Sequence, residues 1–230
     1  MTTFSGLDPA APAFFARLAR DNTAATWHAH LDEYRDRVRT PFESLLDELS
    51  GTHGPWRVFR AQRDVRFSRD KSPYKTHLGA VTRLPGGTVY SLRIDAHGLR
   101  VGAGMARMAH DQLARFRVAI DDAVSGDDFL RRVDSLPVAG DGLAVTGGRL
   151  ERLKTAPRGF SRTHPRLPWL QVKGVEVVAR LGTPAWLASD QAPTEILRVF
   201  ERSRSLTQWL DRHVGPSHLP PERPERQRRT

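Results

Sequence analysis

The chain has 230 residues, 39% of them hydrophobic and 27% charged, which is enough length and apolar content for a sizeable core without covalent staples. Its 36 Lys and Arg outnumber 26 Asp and Glu, and the formal net charge of +10 favours anionic partners, although an Arg-heavy composition alone does not establish one. Cysteine is absent, which excludes disulfides, thiolate nucleophiles and cysteine-ligated zinc or iron–sulfur centres.

In chain order, "DPAAPAFFARLAR" predicts a short helix with Phe14, Phe15 and Leu18 on one side. Trp27, Leu31, Tyr34, Val38, Phe42, Leu45 and Leu49 then recur at three- and four-residue steps, the stripe of a long amphipathic helix. Asp21, Asn22 and Thr23 offer caps at its start, and Pro41 is expected to kink or break it near residue 40. The period next falls to two. "PWRVFR" and "THLGAVTRL" read as strands, and "GGTVYSLRIDAHGLRVGAG" as a hairpin turning at "AHG". A helix is expected near residues 105–124, with Met108, Leu113, Phe116 and Ile120 inward; another follows in "SGDDFLRRVDSL", where Ser125 and Asp128 stand at capping-box spacing. "VAGDGLAVTGGRLERLK" is turn-rich and suggests no single element. "VEVVARL" is a late strand, and "APTEILRVFERSRSLTQWLDRHV" a terminal helix with Ile196, Val199, Phe200, Ser203 and Leu210 along one side.

These elements add up to one α+β domain over residues 1–215: an antiparallel sheet of about four to six strands packed against helices, with a long kinked N-terminal helix and a C-terminal helix. Residues 216–230, rich in Pro and Arg and nearly free of core residues, are expected to be a disordered basic tail. The N-terminus lacks the features of a signal peptide, and no apolar run approaches the about 18 residues needed to span a bilayer. A cytoplasmic protein without a membrane partner is expected.

A dense share of the positive charge surplus gathers in "RAQRDVRFSRDKSPYKTH", residues 60–77. Arg57, Arg60, Arg63, Arg66 and Arg69 fall at every third position, which neither a strand nor a helix places on one side; a helix rotates them by about 60° per step. Asp64 and Asp70 can pair with two of them, so positive charge is left over. Two readings stand: a structural Arg–Asp network, or an anion site. In the second, Arg60, Arg63, Arg66, Lys71, Tyr74 and Lys75 receive the anion, supported by Asp64, Phe67, Asp70 and Pro73. A second basic cluster contains Lys154 and Arg158, and would extend the site if packed beside the first.

The same stretch resembles the bacterial domain of unknown function 2461 family, through its signature RxxRDxRFxxxKxPY. The matching positions are Arg60, Arg63, Asp64, Arg66, Phe67, Lys71, Pro73 and Tyr74. An early Asn followed by a Trp, here in "DNTAATW", and the later "KTAPRGF" with Lys154, Pro157 and Gly159, extend the resemblance; the family's usual second asparagine is Thr23 here. The resemblance implies a single domain of about this length and carries no assigned activity.

Other chemistries find little support. "VGAGMARM" has Gly102 and Gly104 but Arg107 where a dinucleotide fingerprint needs its third glycine, and the antiparallel context opposes a Rossmann unit. His28 and His30 point about 200° apart on a helix, and the other histidines are scattered without an HExxH, so neither a metal nor a cofactor is expected. Asp121–Asp122 and Asp127–Asp128 read as caps and solvated positions. For catalysis the first combination is His77 as acid–base with Arg63 or Arg66 stabilising charge. The expected function is binding of a small phosphorylated or carboxylated molecule, with catalysis as an extension. Nucleic-acid binding through phosphate contacts, or a non-catalytic scaffold, are the alternatives, and oligomeric state is not legible.

Overall fold

The computed structural model describes residues 4–66, 70–136, 143–148 and 150–220. Its frame is a six-stranded antiparallel sheet in the order β1-β2-β3-β4-β6-β5. The strands are β1 (Arg57–Val58), β2 (His77–Arg83), β3 (Val89–Asp95), β4 (Gly98–Met105), β5 (Leu143–Thr146) and β6 (Val175–Gly182). The expected α+β architecture is therefore present, and the unassigned turn-rich stretch supplies the edge strand β5. The β3–β4 hairpin closes where the sequence placed it. Gly98 takes a φ of +91°, open to a residue without Cβ, and the His97 N–H donates to Asp95 Oδ1 at 2.8 Å.

Alternation along the strands separates two faces. Leu78, Ala80, Leu92, Ile94, Val101 and Ala179 point into one continuous apolar core. Helices close over that side: Phe200 of α8 (Ala192–His213) and His53, the last residue of α4 (Thr40–His53), meet Tyr90 of β3 at 4.6 and 4.7 Å. Helices α5 (His110–Asp121) and α6 (Ala123–Asp134) join through Phe116 and Phe129, whose rings both contact Trp209 of α8. Phe59, Val81, Val89 and Val178 belong to the opposite face and stand outside that core.

In the N-terminal half, the interruption expected near residue 40 falls at the junction of Arg39 and Thr40. After α1 (Ala11–Arg20) come the short α2 (Ala24–Ala29) and α3 (Leu31–Glu33), and then Tyr34–Arg39 winds as a π-helix leading into α4. Pro41 has no N–H to donate, and its ring would press on the carbonyl four residues back. The chain relieves this by widening before the proline, with the Thr40 N–H reaching Arg35 O, five residues back, and α4 continues through it.

Two further boundaries move. Residue 105 belongs to β4, where Met105 pairs with Val175, so α5 starts only at His110. The α6 cap is Asp122, whose Oδ1 accepts from the Ser125 N–H at 2.8 Å; Ser125 lies inside the helix. Of the expected tail, residues 221–230 lie outside the described residues, while Ser217 Oγ and the His218 N–H donate to Asp111 at 2.8 and 2.9 Å. Among the described residues, no helix is long and apolar enough to cross a membrane.

Candidate functional site

The arginine-rich segment is a long irregular hairpin continuing the β1–β2 pair. The Phe59 N–H donates to Gly79 O at 2.9 Å, Lys75 N–H to Ala61 O at 2.8 Å and Arg63 N–H to Pro73 O at 2.8 Å. The hairpin is pinned to the N-terminal helices by one residue. Asn22 Nδ2 donates to Tyr74 O at 2.9 Å, and the Tyr74 N–H donates to Asn22 Oδ1 at 3.0 Å, so the side-chain amide imitates a neighbouring strand. The Tyr74 ring then stacks on Trp27 with centroids 4.4 Å apart. These contacts explain the early Asn and Trp beside the basic signature: they dock it.

The six expected anion-binding residues do not converge. Arg66 is turned back on Asp64, with Nε and Nη2 donating to its two oxygens at 2.9 and 2.6 Å. This bidentate hydrogen bonding lowers the Asp64 carboxyl to about 2. Lys71 Nζ donates to Val65 O at 3.0 Å. Tyr74 is buried by its stack on Trp27. Asp70 accepts from Ser72 N and Oγ at 2.9 and 2.6 Å and from Arg63 Nη1, bracing the turn. Pro73 contributes its carbonyl to the hairpin ladder, and Phe67 lies outside the described residues. Lys154 and Arg158 are exposed and, among the described residues, make no bond to this cluster.

What remains together is the hairpin base, where the charges of Arg60 and Arg63 act on Lys75, and those of Arg93, Lys75 and Arg63 act on His77. Lys75 Nζ donates to Arg60 O at 2.6 Å. Burial lowers the Lys75 ammonium below its ordinary value, and the charges of Arg60 and Arg63 lower it further. Burial pushes His77 down to about 4, with Arg93, Lys75 and Arg63 acting in the same direction and only Asp95 opposing. Among the described residues, Arg63 Nε is buried without an acceptor, although Nη1 reaches Asp70. Arg60 is exposed and, among the described residues, forms no ion pair.

Three participants escaped the sequence reading. Phe59 lies against Gly79, with Arg57 Cζ and Lys75 Nζ at 5.3 and 5.8 Å from its ring centroid. Arg93 and Asp95 project from β3, with Nη2 and Oδ2 2.9 Å apart. The available signal was the alternation of the hairpin: with Leu92 and Ile94 inward, Arg93 and Asp95 face the same side as His77. Two surface cavities lie elsewhere, one of about 530 Å³ beside Val118 and His213 and one of about 400 Å³ beside Tyr34 and Arg39. Among the described residues, no three His, Asp or Glu side chains gather as metal ligands would.

Comparison with known proteins gives a family. The family model described as "Conserved hypothetical protein (DUF2461)" matches residues 10–209, a span that includes Asn22, Trp27, the hairpin and the sheet. No curated protein and no solved structure matched the chain.

Proposed function

Because this chain belongs to the DUF2461 family, whose description carries no activity, we propose from geometry that the hairpin base binds a phosphate- or carboxylate-bearing ligand. The carrying observation is the buried Arg63 Nε–H, a guanidinium donor with no acceptor among the described residues, set beside side chains whose protonation is already disfavoured. A buried unpaired donor costs about 1–3 kcal/mol. An anion seated between Arg63, Lys75 and His77 would accept from it and offset the excess of positive charge. The division of labour differs from the one expected. Asp64, Arg66, Asp70, Lys71, Pro73 and Tyr74 build and hold the hairpin, while Arg60, Arg63 and Lys75 carry the recognition together with Arg93. Any catalytic use of the site would fall to His77 beside Arg63, since Arg66 is held at Asp64.

A thermal-shift series with inorganic phosphate, pyrophosphate, sugar phosphates and dicarboxylates tests this reading. Stabilisation by at least one of them, lost in Arg63→Gln and in Lys75→Gln but kept in Arg66→Gln, is expected. Equal loss in all three variants, or no stabilisation of the native chain, overturns it. The His77 proton resonances give a second readout that survives altered stability: an anion bound beside the ring must raise its pKa.

A further inference from the structure

The sheet face turned away from the core carries an arrangement that stability alone disfavours. Gly79 pairs with Arg93, Arg93 with Arg100, and Arg100 with Arg180. Three arginines therefore stand directly side by side on β3, β4 and β6, about 4.8 Å from strand to strand. Like charges placed opposite one another destabilise a sheet. The register that aligns the last pair is itself irregular. Leu99 pairs with Gly182 but Arg100 pairs with Arg180, so a bulge at Leu181 brings the two arginines opposite each other. Arg93 is offset by Asp95, and Arg100 Nη2 donates to Glu176 Oε2 at 2.9 Å. Arg180 is exposed and, among the described residues, has no carboxylate partner. The row continues across Gly79 to Phe59, and thence to Lys75, on which the charge of Arg63 acts.

We infer that this row is a track for single-stranded nucleic acid, running across the strands from the hairpin base to Arg180. The inference rests on the anion site proposed above and names its ligand class: the terminal phosphate contact is at Arg63 and Lys75, and further phosphates are met by Arg93 and Arg180, while Arg100 between them stays on Glu176. A single strand suits the width, because the cationic row is one residue deep and same-face neighbours along a strand lie only about 7 Å away. Guanidinium forks suit phosphate oxygens. Phe59, the aromatic side chain beside the row, supplies one ring face for a base, which predicts phosphate-driven binding with little sequence preference.

Fluorescence anisotropy of the full chain with 5′-fluorescein-labelled dT20 and rU20, titrated with salt, tests the track. Binding at low salt is expected, with a log–log salt slope that becomes shallower by about 0.7 in each of Arg93→Gln and Arg180→Gln. Arg198→Gln, on the helix packed against the other face, should leave the slope unchanged. A duplex of the same length binding equally well, or a polyaspartate competitor displacing the strand at equal charge, overturns the assignment to single strands. So does a slope indifferent to Arg180→Gln. No binding at low salt, while inorganic phosphate still stabilises the protein, overturns the track and leaves the small-anion reading standing. If neither ligand acts, both fail.

Discussion

Leu92 and Arg93 are consecutive residues of β3, and the sheet treats them oppositely. Leu92 is 1% exposed, sealed among Leu78, Val101 and the helices that cover one face. Arg93 emerges on the other face, beside His77 and Arg100, where charged and small residues replace the apolar layer. The helix-covered face is held by burial, which is non-directional and additive over area. The other face is held in part by ion pairs, of which the part-exposed Arg93–Asp95 pair is screened by solvent while Arg100 holds the buried Glu176. One strand pattern thus writes both a core and a surface whose charge is not balanced for stability.

Replacing the two neighbours separates these roles most sharply. Leu92→Ala should cost about 2–5 kcal/mol in urea unfolding, from lost burial and the cavity left behind. Arg93→Gln should cost less than about 1 kcal/mol, as expected of a part-exposed pair. Comparable losses would mean that the other face is as much a part of the folding core as the covered one.

Around Gly102 and Glu176 the other face behaves like a core. A Cβ there would come within 2.6 Å of both Glu176 Oε1 and Ser91 Oγ, and Glu176 is 2% exposed. Gly102→Ala must therefore displace a buried carboxylate held by Arg100, and should cost about 1–3 kcal/mol in the same unfolding assay. Unchanged stability would show that Glu176 can swing aside freely.

The two faces also differ in how far they could be read from sequence. Alternation in "VYSLRID" and "LRVGAGM" was enough to assign the hairpin and its inward residues, because burial imposes a period of two on each strand. The C-terminal stripe of Ile196, Val199 and Phe200 was equally plain. The π-helix was not, since Pro41 announces a disturbance without saying whether the chain breaks, kinks or widens. The site was half legible for a similar reason. Composition located the positive charge at residues 60–77, but pairing depends on which carboxylate or carbonyl each long side chain reaches. Arg66 and Arg63 look alike in the signature; one folds back on Asp64, whereas the other keeps a buried N–H to offer. The cross-strand row of Arg93, Arg100 and Arg180 could not be found without the register, and the bulge at Leu181 makes that register impossible to count from the ends of the strands.

His77 gives the smallest effect and the most direct link between the site's charge and its occupancy. Its imidazole is brought to about 4 in the folded protein, by burial first and then by Arg93, Lys75 and Arg63, against an ordinary value of 6.5. The unfolded chain therefore binds this proton more readily. The associated stability is fully present above pH 6.5, declines as pH falls through the interval between 6.5 and about 4, and has been lost below it. After allowance for the ring's part exposure, the decline should be about 1–2 kcal/mol, and His77→Gln should remove it from the pH profile of urea unfolding. Saturating inorganic phosphate should flatten the same decline in the native chain, because an anion beside Arg63 and Lys75 cancels the field that disfavours the imidazolium. The outer half of the face offers the control: Arg180→Gln leaves the surroundings of His77 intact and should preserve both the decline and its flattening by phosphate. If phosphate leaves the decline unchanged, the low imidazole value reflects burial alone, and the hairpin base has no anion to hold.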